Sequence, residues 1–108
     1  YPGLVSHPEH HTAKEQIPNY GAMLTFEVED SESAVKVCDA LELCAFAGSL
    51  GSVRTITQVP ATMAFLDVPK EQREQMNIRD GMIRVSVGLE DADDIIRDFN
   101  QALPRGRP

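Results

Sequence analysis

Four groups of residues in this chain have the means to do chemistry, and each also has an ordinary explanation. His7, His10 and His11 stand at i, i+3 and i+4, so on a helix they would share one side and could ligate a metal. No cysteine or fourth ligand has matching spacing and Pro8 interrupts the segment, so no metal site is expected. Carboxylates cluster as Glu27 with Glu29 and as Glu90, Asp91, Asp93 and Asp94, and pairs within one turn could share a proton in acid–base work. Acids at a helix start are also stabilised by the positive end of its dipole, and capping is the reading adopted for them.

The other two groups point to anions. Gly48-Ser49-Leu50-Gly51-Ser52 places glycines on both sides of a serine, which permits unusual dihedrals and lets backbone N–H groups converge on a carboxylate. Its spacing is neither a P-loop nor a dinucleotide fingerprint, and on spacing alone a plain turn is the favoured reading. Arg84 stands in the middle of a strongly alternating segment beside Ser86. From there its fork could hold a carboxylate bidentately, or merely decorate a solvated sheet face.

The elements that must position these residues follow from periodicity. Residues 7–17 read as an opening helix ended by Pro18, and residues 22–29 as a strand with Leu24, Phe26 and Val28 on its apolar face. Asp30 and Ser31 can cap a helix that runs to about Cys44, and Gly48 to Gly51 is a turn. Residues 53–59 alternate as a second strand up to Pro60, whereas 61–68 fits either a loop or a short strand. Pro69 suits the first position of a short polar helix reaching about Asn77. Met82 to Val87 is the clearest strand, with Ile83, Val85 and Val87 on one face and Met82, Arg84 and Ser86 on the other. Ala92, Ile95, Ile96, Phe99, Ala102 and Leu103 form the apolar stripe of a final helix capped by Asp91. The sum is an α+β two-layer sandwich, with helices on the apolar face of a largely antiparallel sheet of three or four strands.

Composition sets the outer limits. The chain has 108 residues with 17 acidic and 10 basic side chains, a net charge of −7, and 42% hydrophobic residues. Area scaling puts the unfolded chain near ~17,000 Å² and the folded one near ~6,000 Å², enough burial for one domain without staples. An acidic protein lacks the positive footprint that phosphate backbones require, since Arg105 and Arg107 lie in a short tail, residues 104–108, expected to be flexible; no nucleic acid is expected as a partner. No apolar run approaches ~18 residues, so no membrane partner is expected either. The start at Tyr1 without an initiator Met or signal-peptide pattern suggests a processed or excised piece. Cys38 and Cys44, on a helix, would face apart by about 240°, so free thiols and a reducing cytoplasmic compartment are expected.

Tyr1-Pro2-Gly3-Leu4, Ser6-His7-Pro8, Gly48-Ser49-Leu50-Gly51, Pro60-Ala61 and the run Gly81-Met82-Ile83-Arg84-Val85-Ser86-Val87-Gly88-Leu89-Glu90-Asp91 occur in this order and spacing. In this the chain resembles the Cys/Met-metabolism, or trans-sulfuration, family of pyridoxal-phosphate enzymes, which includes cystathionine synthases and lyases and methionine gamma-lyases. The likeness covers residues 1–103 and only the family's small C-terminal substrate-binding domain, of fold type I.

The resemblance implies a parent enzyme that cleaves or forms C–S bonds in sulfur amino acids, with pyridoxal 5'-phosphate as its cofactor. It implies that Arg84 binds the substrate α-carboxylate, orienting the Cα–H bond over the cofactor ring, and that Ser49, with the backbone around Gly48 and Leu50, helps to fix it. The large domain that carries the Schiff-base lysine and most cofactor contacts is missing, so no cofactor, catalytic residue or activity is expected in this chain alone. The full enzyme would be a homotetramer. Ser52, Arg54, Val59 and Ala64-Phe65 depart from the family's usual glycine, acid and histidines, which leaves open whether the reaction is elimination or replacement. The alternative is a stand-alone module that binds small amino acids or a protein partner without catalysis.

Overall fold

The computed structural model describes residues 1–104; of the expected tail, 104–108, all but Pro104 lies outside the described residues. It is a mixed α/β structure with a four-stranded sheet. In chain order the elements are α1 (His10–Gln16), β1 (Met23–Glu27), α2 (Ser31–Ala40), β2 (Ala45–Phe46), β3 (Ile56–Gln58), α3 (Lys70–Gln75), β4 (Met82–Ser86) and α4 (Ala92–Ala102), with single 3-10 turns at Pro18–Tyr20 and Pro60–Thr62.

The strand order is β1-β4-β3-β2. β4 pairs antiparallel with both β1 and β3, while β2 pairs parallel with β3. Alternation along β4 sends Ile83 and Val85 into a core shared with Ala34, Val37 and Cys38 of α2 and with Val59. Leu24, Phe26, Phe99, Ala102 and Leu103 pack around this cluster, with the Phe26 and Phe99 rings edge to face at 5.9 Å. Asp30 caps α2 by accepting the Ser33 N–H at 2.8 Å, and Asp91 caps α4 by accepting the Asp93 N–H at 2.9 Å. Among the described residues no helix is long and apolar enough to cross a membrane.

Several boundaries differ from the periodic pattern, for physical reasons. α1 begins at His10, because residues 1–10 form successive turns (Leu4 N–H to Tyr1 O, His7 N–H to Leu4 O, His10 N–H to His7 O); His7 therefore shares no helix with His10 and His11. α2 stops at Ala40, not near Cys44, because the N–H groups of Glu42, Leu43 and Cys44 turn to the Asp98 carboxylate on α4. Cys44 is thus not on a helix, although both cysteines are buried and free. β2 is an additional strand between the expected end of the helix near Cys44 and the Gly48–Gly51 turn, and residues 61–68 contain no strand. The α4 stripe is only partly covered: Ile96 is 55% exposed, and an apolar groove remains between Ile95, Phe99 and Leu103 and the Leu24–Val87 end of the sheet.

Candidate functional site

Three facing strands put one polar row on the side of the sheet away from the core. Arg84 in mid-β4 lies opposite Thr25 of β1 on one side and Gln58 of β3 on the other. The even positions of β4 (Met82, Arg84, Ser86) alternate away from the buried Ile83 and Val85, so the guanidinium side of the sheet is the opposite of the core side. Arg84 is half-buried and forms no salt bridge among the described residues. Glu27, two residues beyond Thr25 on the same face, is a diagonal neighbour of Arg84, but it is held by Arg79, whose Nε lies 2.7 Å from Glu27 Oε1. That hydrogen bond, more than the small opposing effect of burial, keeps the Glu27 carboxyl below its ordinary pKa.

The Gly48–Gly51 segment lies on the same face. A Cβ at Gly48 would sit 3.5 Å from Gln58 Nε2, and the Gly51 N–H donates to Ser86 Oγ at 3.0 Å. Gly51 has φ +70°, the left-handed region that the loop needs at this point. Gln58 and Ser86, each adjacent to Arg84 on that face, therefore join the loop to the arginine's surroundings. Ser49 and Leu50 point outward at the loop tip, Leu50 being 59% exposed. Among the described residues no hydrogen bond links Ser49 to Arg84; Gly48, beside Gln58, and Gly51, bonded to Ser86, are the loop positions tied to the arginine's neighbours.

Gln58 is the site residue that sequence reasoning missed. It is 5% exposed and its Oε1 has no hydrogen-bond partner among the described residues. A buried acceptor without a donor is uncommon in a folded domain and asks for a group that the described residues do not supply. The only sequence signal was a glutamine inside a segment otherwise made of Thr, Ile and Val, and alternation says nothing where both strand faces are covered. An unpaired arginine and an unpartnered amide oxygen side by side can take a carboxylate and an N–H or O–H donor respectively.

The remaining candidates have local partners. His7 Nδ1 accepts the Glu9 N–H at 3.0 Å, and the His10 ring lies 2.8 Å from the Pro2 carbonyl oxygen and stacks on Tyr20. Among the described residues no cluster of three or more His, Cys, Asp or Glu could hold a metal ion. Asp91 does cap a helix, but Glu90 does not behave as a cap: it accepts from Thr55, 35 residues away. Pyridoxal phosphate, which the sequence resemblance implies, is held through a lysine Schiff base. Lys14, Lys36 and Lys70 are exposed, with Lys36 paired to Glu32 at 3.1 Å and Lys70 to Asp80 at 3.2 Å, and none fits such a site.

The chain is 47% identical over 108 residues to a cystathionine beta-lyase of Bacillus subtilis, covering 100% of this chain and 28% of that protein. It is 45% identical over 106 residues to an L-methionine gamma-lyase of Fusobacterium nucleatum, covering 97% of this chain and 27% of the relative. The fold superposes on the crystal structure of cystathionine gamma-lyase from yeast with a TM-score of 0.89 at 37% identity, over 94% of this chain and 27% of that one. The chain thus spans little more than a quarter of the length of these relatives. The family model described as Cys/Met metabolism PLP-dependent enzyme matches residues 1–104, so the chain, with its Arg84 row and glycine-flanked loop, belongs to that family.

Proposed function

We propose that this chain is the C-terminal substrate-binding domain, residues 1–103, of a larger pyridoxal-phosphate enzyme that cleaves or forms C–S bonds in a sulfur amino acid. In this reading it is a two-layer sandwich with no activity of its own. The large domain supplies the cofactor and its lysine, and the assembled enzyme is a cytoplasmic homotetramer. The observation that carries the reading is Arg84: a guanidinium without an acidic partner among the described residues, in mid-strand, beside the buried Gln58 and a glycine-flanked loop.

The work of these residues is binding and orientation. Arg84 takes both oxygens of the α-carboxylate in its fork, and the backbone around Gly48, Ser49 and Leu50 closes over them. Two parallel hydrogen bonds fix the plane of the carboxylate and so the direction of the bonds at Cα, which converts binding energy into alignment. Gln58 Oε1 accepts a donor from the substrate or the facing domain. The test is Arg84→Lys in the full-length enzyme: a point charge without the fork should raise KM by about tenfold or more. A KM within about twofold of wild type would overturn the reading.

A further inference from the structure

We infer that Glu90 is a positioning residue that holds the Gly48–Thr55 segment over Arg84 by clamping Thr55; this rests on the carboxylate-binding reading of Arg84. Thr55 is fully buried at the end of the loop. Its N–H donates to Glu90 Oε2 at 2.8 Å and its hydroxyl to Glu90 Oε1 at 2.7 Å, so one carboxylate satisfies both donors. The same hydroxyl oxygen accepts the Gly88 N–H at 2.9 Å, and the Leu89 N–H donates to the Val53 carbonyl at 2.7 Å. The two segments are so close that a Cβ at Gly88 would fall 2.5 Å from the Thr55 nitrogen.

The middle of the same loop is held by Ser86 through Gly51. One run, from Arg84 to Glu90, thus carries the carboxylate fork and both anchors of the loop that covers it. Helix capping does not explain Glu90, because Asp91 already fills that role on α4. A carboxylate suits this pair because Thr55 presents two donors and both carboxylate oxygens accept. In Gln, the amide NH₂ would face either the Thr55 N–H, which cannot accept, or the hydroxyl, whose hydrogen would then lose its acceptor. Burial tends to raise the Glu90 pKa, but the Thr55 hydrogen bonds outweigh this and keep it below the ordinary value, as expected for an anion built into the fold.

The experiment is steady-state kinetics of the full-length enzyme with Glu90→Gln, Glu90→Asp, Thr55→Val and Arg84→Lys. Glu90→Gln and Thr55→Val should raise KM for the amino acid by about tenfold while kcat stays within about threefold, and Glu90→Asp should recover part of the loss. Glu90→Gln is nearly isosteric, so it tests the clamp even if other variants fold poorly. A KM for Glu90→Gln within about twofold of wild type, with Arg84→Lys impaired, overturns the positioning role and leaves the carboxylate reading standing. An unimpaired Arg84→Lys overturns the carboxylate reading and this inference with it. A fall in kcat alone in Glu90→Gln also overturns the inference.

Discussion

The Asp98 carboxylate, in the middle of α4, accepts the backbone N–H of Cys44 at 2.9 Å across 54 residues of chain. Glu42 and Leu43 donate to the same carboxylate at 2.8 and 2.9 Å, so one side chain satisfies three consecutive amides and fixes where the chain leaves α2 for β2. Burial pushes the Asp98 carboxyl upward, but these amides and the Gln101 side chain overcome it and hold the pKa at about 2. A carboxyl depressed in the folded state stabilises above its unfolded pKa of about 3.9 and loses that contribution as pH falls towards the folded value. Acid unfolding should therefore show a component between about pH 4 and pH 2 that Asp98→Asn abolishes. Asp98→Ala, which orphans three donors, should cost about 3 kcal/mol by urea denaturation. A loss well below about 1 kcal/mol would show the amides are satisfied elsewhere.

Gln58 should show opposite effects on stability and activity. Its Oε1 is buried without a partner among the described residues, so replacing the amide by an apolar group of similar shape removes a desolvation cost. Thermal melting of the isolated chain should give Gln58→Met a stability equal to or about 1 kcal/mol above wild type, while the full-length enzyme loses turnover. A destabilised Gln58→Met chain would mean that the oxygen has a partner within this domain.

Arg79 should protect the site by occupying Glu27. As Glu27 is a diagonal neighbour of Arg84, removing Arg79 frees a carboxylate to compete with the substrate's own. Arg79→Ala should raise KM by about two- to tenfold with kcat unchanged, and added salt should shrink the effect. The double variant Arg79→Ala with Glu27→Gln should restore the wild-type KM. Failure of that restoration would dismiss the competition.

Much of this structure was legible in the residue pattern, and the exceptions share one cause. β4 and α4 announce themselves because Ile83 and Val85 repeat at two and Ile95, Phe99 and Ala102 at helical spacing, each with one apolar face. Leu41 and Leu43 continue the α2 period, yet the helix stops before them because Asp98, far away in sequence, takes the amides that follow. β2 has only two residues, and its strand character exists only through its parallel pairing with β3. Arg84 and the Gly48–Gly51 turn stood out by residue type. Gln58 did not, and Glu90 stood out only among acids read as caps, since their roles depend on partners that sequence separation hides: Gly48 beside one, Thr55 bonded to the other.

The carboxylate clamp is tested most directly by comparing the sulfur amino-acid substrate with its α-carboxamide, in the full-length wild-type enzyme and in Arg84→Ala. Wild type should prefer the acid by about a hundredfold or more in kcat/KM, and Arg84→Ala should treat the two within about tenfold because the fork that reads the second oxygen is gone. An Arg84→Ala enzyme that keeps the full wild-type preference for the acid would show that the carboxylate is bound elsewhere.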